Sequence, residues 1–352
     1  MKIILATGGS GGHIFPALKT AERLKKEGHE VSFVGALSSA EERLRKAGFS
    51  IVILDVQGFN IKSFPRFLWL MARAIAKSRH TIRSLNPDVV VGFGSYSSFP
   101  VLLAASVIGI PTMLHEQNVI PGKANRLSAR IVDQIAVTFD ETRKTFSSRK
   151  VVWTGCPCHG ERPKESKEDI LKSFRLQNDR KTILVLGGSQ GSKYLNEVFF
   201  ESIPYLGDIQ VIHMTGKSDE YFYTQRYPGL GIPYHVCAFL DPIERAYAVA
   251  DMVIGRAGAA TVCELASFGI PSILIPYPFA HSHQAANARV LEKAGVAVVI
   301  EQKGMDRQKL IDAVRRLAAE GLTRPVVHKK LEGCFMNDPT EQLVKTIVSM
   351  KP

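Results

Sequence analysis

No run of apolar residues in this 352-residue chain comes near the roughly 18 needed to cross a bilayer. The apolar stretch from Ile3 to Ala6 is too short for the core of a signal peptide. A chain lacking both is expected to stay in the cytoplasm. Cysteine is scarce: five residues, an odd number without framework spacing, argue against a disulfide scaffold and for a reducing compartment. Cys156, Cys158 and His159 crowd together in "CPCH", but no second cluster completes a four-ligand set, so no metal is expected. Nor does any Asp-x-Asp triplet occur, which removes the usual carboxylate pair for a metal-bound nucleotide sugar. A leaving diphosphate would then be stabilised by helix N-termini and backbone N–H groups.

What is present in excess is positive charge. The net charge of +12 and pI near 9.5 favour an anionic partner: a nucleic acid, a nucleotide or an acidic membrane surface. Between Val56 and Pro87 there is no acidic residue, while Lys62, Arg66, Arg73, Lys77, Arg79 and Arg83 supply six cations. The segment has helical period. Phe64, Phe67, Leu68, Met71 and Ile75 mark a core face, and Lys62, Arg66, Trp69, Arg73, Lys77 and His80 the opposite one. A tryptophan amid cations suits a membrane headgroup layer, and the alternative is a solvated helix face with one stray aromatic. No recognition motif for nucleic acid accompanies the charge.

Short apolar runs alternate with helical patterns along the whole chain, which predicts an α/β protein with parallel sheets. Six strands are legible in the first half, from "KIILAT" to "QIAVTF", and five in the second, from "KTILVLG" to "PSILIP". Each half opens with a strand, glycines and a helix, so two Rossmann-like domains are expected. The polar stretch from Cys158 to Lys181 marks a boundary, giving domains 1–158 and 159–334 and a separate helix over 335–352 with Asp338 as N-cap.

Candidate chemistry clusters at the carboxyl ends of predicted strands, where open α/β sheets bind ligands. The first loop, Gly8 to His13, lacks the dinucleotide spacing, and no acidic residue ends the second strand, so a nicotinamide cofactor is not expected. His13 is either a helix-start residue packed on the sheet or a base beside a bound diphosphate. His115, Glu116, Gln117 and Asn118 follow directly on another strand, and Tyr96 lies in the loop after the strand before it. In "GRAGAATVCEL" small residues let a ligand approach the backbone, and a helix is expected to start at Thr261. Glu264 then has two readings, a capping-box partner of Thr261 or a carboxylate for a ribose diol. Gln284 and Asn287 share one helix face and suit sugar hydroxyls, unless that face is merely polar surface.

Taken together and in order, "GGSGGHIFPAL", "GSYSSFP", "HEQNVIPGKANR", "GGSQGS", "RAGAATVCEL" and "HQAANA" resemble the MurG family of N-acetylglucosaminyltransferases of peptidoglycan synthesis, over nearly the whole chain. The resemblance implies two Rossmann-like domains with parallel sheets facing a cleft, the GT-B glycosyltransferase architecture. The N-terminal domain, 1–158, would bind acceptor and membrane; the C-terminal domain, 159–334, would bind the UDP-sugar, and the helix in 335–352 would return to the first. It implies UDP-N-acetylglucosamine as donor, undecaprenyl-linked lipid I as acceptor and lipid II as product. The place would be the cytoplasmic face of the cell membrane, held peripherally.

Carried over by position, Ser189, Leu240, Ala259, Ala260, Thr261, Glu264, Gln284 and Asn287 fall on donor contacts. Gly9, Tyr96, His115 and Asn118 fall on the acceptor side, with Ser10, Gly11, Gly12 and Asn118 also assigned to the donor. His13 is the expected base, with Glu116 and His115 as second choices, and Lys62, Arg66, Trp69, Arg73 and Lys77 form the membrane face. One departure stands out: "CPCH" replaces an "NPVR"-like turn, so a donor-holding arginine is absent and His159 stands in its place. A diacylglycerol glycosyltransferase, a UDP-N-acetylglucosamine 2-epimerase and a nucleotide-sensing binding module are the rival readings.

Overall fold

The computed structural model of the chain describes residues 1–9, 11–38, 40–56, 64–146, 150–158, 162–188, 191–278 and 283–351. It divides into two compact units, Met1–Cys158 with Cys334–Pro352, and His159–Gly333.

Seven strands form the sheet of the first unit: β1 (Lys2–Gly8), β2 (Glu30–Ala36), β3 (Ser50–Ile53), β4 (Val89–Gly92), β5 (Thr112–Glu116), β6 (Gln134–Val137) and β7 (Val151–Trp153). All pairs are parallel, in the order β3-β2-β1-β4-β5-β6-β7. Alternation along β1 explains why both faces are covered. Ile3 and Leu5 join Phe33, Val91 and the helix Gly11–Lys26 in one core, whereas Ile4 and Ala6 join Val34, Val90 and the helix Ser98–Ile108 in another. Ile14, Leu18, Ala21 and Leu24 form the buried stripe of the first of these helices. The final helix, Pro339–Val348, starts where the Asp338 side chain accepts from the amide of Glu341 at 2.8 Å, a cap worth about 1 kcal/mol. Its Leu343, Val344 and Ile347 complete the core around Gly11–Lys26.

The second unit holds β8 (Lys181–Leu186), β9 (Ile209–Met214), β10 (Tyr234–Cys237), β11 (Met252–Gly255), β12 (Ser272–Leu274) and β13 (Ala297–Val299). Their order, β10-β9-β8-β11-β12-β13, repeats that of the first six strands of the chain, again all parallel. β7 and β13, the two strands not legible beforehand, are three-residue edge strands. So short a run carries no alternation of its own. In each sheet the order reverses between its first and fourth strands, and ligands of such sheets bind at that reversal.

The basic segment forms the helix Phe64–Leu85, but rotated from its expected setting. Leu70, Ala74, Ser78 and Ile82 are the buried line, while Leu68, expected in the core, is 50% exposed beside Trp69 at 57%. The reason is spacing: the helix packs against the helix Ser98–Ile108, positions four apart from Leu70 form its buried line, and Leu68 falls off that line. The Arg73 guanidinium stacks over Trp69 at 4.5 Å, and Lys77 donates to the carbonyl of Ile53 at 2.7 Å. Lys62 lies outside the described residues. Among the described residues no helix is long and apolar enough to cross a membrane.

Candidate functional site

In the first unit the loops after β1, β4 and β5 meet around His13, the third residue of the helix Gly11–Lys26. Its Nδ1 lies 3.0 Å from the carbonyl oxygen of Phe93 and 3.1 Å from Oε1 of Gln117. A carbonyl can only accept, so Nδ1 carries a proton, and in the neutral ring the lone pair is on Nε2. Gln117 is buried, and its amide nitrogen donates to Phe93 O and to Nδ1 of His115, each at 3.0 Å. His115 in turn donates from Nε2 to the carbonyl of Gly155 at 2.9 Å. Hydrogen bonds thus run without a break from His13 through Gln117 and His115 to Gly155. Burial pushes the pKa of His115 down to about 4; the Gly155 bond opposes this and the neighbouring His13 adds to it. His115 is therefore a neutral ring.

The carboxylate of Glu116 is fully buried and shapes the loop that follows. One oxygen accepts from the amide of Asn118 at 2.8 Å and its side chain at 3.1 Å; the other accepts from Gly122 N at 3.2 Å and Asn125 Nδ2 at 2.7 Å. Glu116 and His115, expected as alternative bases, are both wholly buried. Neither reaches the surface, and their polar atoms are already engaged in holding the walls around His13. Gly94 explains how those walls close. With φ at +81°, a Cβ there would lie 3.0 Å from His13 Nδ1 and 3.1 Å from Asn125 Nδ2. The same loop carries Tyr96, 37% exposed, and is tied back where Ser97 Oγ donates to Thr7 O at 3.1 Å. Gly9 packs beside Ser95, Gly11 is partly buried, Gly12 is exposed, and Ser10 lies outside the described residues.

The corresponding loops of the second unit hold a different set of groups. After β8 the chain makes a tight turn, in which Gly191 has φ +77° and a Cβ would come within 2.2 Å of Thr215 O. After β11, Arg256 ties the neighbouring loops together, donating to Ser192 Oγ at 2.6 Å, Gln302 Oε1 at 2.7 Å and Ile275 O at 3.1 Å. Desolvation lowers the pKa of this guanidinium, and none of these partners is an acid. The helix that follows spans Ala259–Phe268 with Gly258 as N-cap, two residues earlier than the expected start at Thr261. No side chain among the described residues caps it, and its first N–H groups have no partner within the helix. Thr261 thus takes the third helical position, not the cap.

That shift decides one alternative for Glu264, because a capping box needs its acid three residues after the cap. Here Glu264 stands six after Gly258, 7% exposed, and accepts a hydrogen bond from the Tyr247 hydroxyl at 2.7 Å. Among the other expected donor contacts, Gln284 Oε1 accepts from the amide of Tyr277 at 2.9 Å. Asn287 is wholly buried, and its Nδ2 reaches Ala257 O at 3.3 Å, so it braces the loop after β11. Leu240 is buried and Phe239 half-exposed, and Glu220 fixes the preceding turn by accepting from Ala238 N at 3.0 Å. Ala259 is buried and Ala260 partly so. His159 and Ser189 lie outside the described residues. Among the described residues no group of three or more His, Cys, Asp or Glu side chains is placed to hold a metal.

Three contributors escaped the sequence. Gln117 stood inside a polar run but carried no pattern that set it apart from its neighbours. Gly94 is one of several glycines in its loop, and Tyr247 is 17 residues from Glu264 on another helix, with no signal linking the two.

Two all-parallel α/β units in tandem, each with a glycine turn and a helix start at its strand reversal, define the two-Rossmann architecture that glycosyltransferases of the GT-B type share with other enzymes. The glycosyltransferase family 28 N-terminal domain matches residues 3–137, and the family 28 C-terminal domain residues 182–342. A protein of Thermodesulfovibrio yellowstonii named UDP-N-acetylglucosamine–N-acetylmuramyl-(pentapeptide) pyrophosphoryl-undecaprenol N-acetylglucosamine transferase is 38% identical over 343 residues, 94% of this chain and 93% of that one. The crystal structure of Acinetobacter baumannii MurG superposes with a TM-score of 0.75 at 26% identity, covering 99% of both chains. A structure from Listeria monocytogenes titled as a UDP-N-acetylglucosamine 2-epimerase reaches 0.73 at 14% identity over 99% of this chain and 96% of that one, a likeness of fold alone. The chain belongs to the MurG family of N-acetylglucosamine transferases.

Proposed function

We propose that the chain transfers N-acetylglucosamine from UDP-N-acetylglucosamine, with inversion, to the 4-hydroxyl of the muramoyl sugar of undecaprenyl-linked lipid I, forming lipid II. The observation that carries the chemistry is the fixed proton of His13. With Nδ1–H given to Phe93 O and Gln117 Oε1, the lone pair of Nε2 is left to accept the proton of the attacking hydroxyl. The oxygen then bonds to C1 of the donor sugar as the bond from C1 to the diphosphate breaks. Gln117 and the neutral His115 keep the ring in that tautomer, and Glu116 holds the loop around it.

The second unit takes the donor. The uncapped start of the helix Ala259–Phe268 receives the diphosphate, where N–H groups and the helix dipole favour negative charge without a metal. Gly258 and Ala259 leave room for it. The charge of Arg256, unmatched by any of its hydrogen-bonded partners, favours an anion in the same place. Glu264 takes the ribose diol, Leu240 and its neighbours the uracil, and Gln284 the sugar hydroxyls.

The exposed pair Leu68 and Trp69, with Arg66, Arg73, Arg79 and Arg83 on the same helix and no acid among them, seats the protein peripherally on an anionic membrane that carries the acceptor. The cytoplasmic face is the side on which a UDP-sugar is available.

The test is transfer of labelled N-acetylglucosamine from UDP to a lipid I analogue, with diacylglycerol as the competing acceptor and a no-acceptor control. Product on the muramoyl lipid alone supports the reading. Product on diacylglycerol, or 2-epimerised donor without acceptor, would replace it, and donor binding without any transfer would leave a binding module.

A further inference from the structure

We infer that Tyr247 is a positioning residue that sets how tightly the donor's ribose is held; this rests on Glu264 being the ribose contact. Tyr247 is wholly buried on the helix Glu244–Val249, and its ring packs on Phe268 with centroids 5.3 Å apart. Its hydroxyl donates to Oε2 of Glu264 at 2.7 Å. The main chain behind that hydroxyl is itself clamped. Arg324 donates from Nη2 to the carbonyls of Tyr247 at 2.7 Å and Ala250 at 2.8 Å, and from Nη1 to Phe268 O at 2.7 Å. One guanidinium thus ties the end of the helix bearing Tyr247 to the end of the helix bearing Glu264, and a cation at two helix C-termini is electrostatically favoured.

A carboxylate can accept from two adjacent hydroxyls only when its plane is held across them. Left to itself, a glutamate rotates about its last torsion at little cost. Glu264 is nearly buried and one of its oxygens is fixed from behind, so the plane of the group is set before the donor arrives. This is preorganisation of a binding group, and it acts on affinity. The effect on the chemical step is expected to be small, because the ribose is remote from the bond that breaks.

The experiment compares wild type, Y247F, E264A and the double variant in steady state, with UDP-N-acetylglucosamine and its 2′-deoxyuridine analogue, each checked by thermal melting. Removing a hydrogen bond to a charged group predicts a roughly tenfold rise in donor KM for Y247F, with kcat within about twofold. The KM penalty that wild type imposes on the 2′-deoxy donor should shrink in Y247F and vanish in E264A. In the E264A background, adding Y247F should change donor KM no further. If E264A loses the ribose preference while Y247F keeps it, Tyr247 has no positioning role and the ribose reading stands. If E264A keeps the preference, Glu264 is not the ribose contact and the inference falls with that reading. Should Y247F melt below the assay temperature, calorimetric affinities for UDP and 2′-deoxy-UDP at lower temperature read the same ratio.

Discussion

The two units use one strand order for two kinds of chemistry. At the strand reversal of the first, two imidazoles and an amide are linked by hydrogen bonds from His13 to Gly155, with the Glu116 carboxylate holding the loop beside them. At the equivalent point of the second, glycine and alanines expose a helix N-terminus, with an arginine behind it. The backbone supplies the place in both. In the proposed reading, side chains of the first unit accept a proton, whereas in the second the start of a helix receives an anion and side chains brace it. A glycine loop therefore says where a ligand goes and leaves open what is done to it.

That contrast can be broken in order of expected effect. His13→Ala should lower turnover by about 10²–10⁴ while UDP affinity and melting temperature stay near wild type. Turnover within a few fold of wild type would remove the proton-accepting role of the first unit. Next comes acid. His115 in the first unit and His213 in the second are buried neutral, with pKa values held at about 4 and about 3 by desolvation. His213 is held between Tyr227 OH at 2.8 Å and Asn196 Oδ1 at 3.1 Å. The unfolded chain takes up protons from about pH 6.5 downward that the folded rings refuse, so the contributions, on the order of 3 kcal/mol for His115 and about 5 kcal/mol for His213, are complete above pH 6.5 and lost as pH falls. Calorimetry should show both units weakening from pH 6.5 to 4, with the loss from His213 continuing below; a flat melting temperature over that range would contradict it.

Glycine offers a smaller and sharper comparison. Gly94→Ala puts an L residue at φ +81° against His13 and should cost about 1–2 kcal/mol of stability along with activity. Gly258→Ala has ordinary backbone angles and only Thr261 Oγ1 within 4 Å, at 3.7 Å, so the fold should be untouched and only donor KM should rise. Melting curves beside donor titrations separate the two, and equal stability losses would show that both glycines serve the fold alone. The smallest effect concerns the surface of the first unit. Trp69→Ala with Arg73→Ala should weaken binding to anionic vesicles by roughly 1 kcal/mol per group removed, with transfer to a water-soluble acceptor analogue unchanged. Equal binding to anionic and neutral vesicles would remove the electrostatic part.

Much of the architecture was open to reading because it rests on local patterns. Ile14, Leu18, Ala21 and Leu24 line one helix face at any tertiary setting, and Asp338 before Pro339 caps a helix by its own side chain. Eleven of the strands declared themselves as apolar runs next to turn residues. What failed was phase and reach. The helix Phe64–Leu85 was known to be amphipathic, but whether Leu68 or Leu70 faced inward depended on the neighbour that packs against it.

The site divides along the same line. The sequence by itself determined that polar groups gather at strand ends, that no Asp-x-Asp triplet occurs, and which residue types stand in each loop. Only the tertiary structure decided which acceptors face Nδ1 of His13, that Glu116 and His115 are buried with their polar atoms engaged, and that Glu264 meets Tyr247 and not a helix cap. Each of those depends on atoms brought within hydrogen-bond distance from far along the chain: 80 residues for His13 and Phe93, 40 for His115 and Gly155, 17 for Tyr247 and Glu264. Local spacing encodes the period of an element, but a contact across a sheet is fixed only when the whole core has packed.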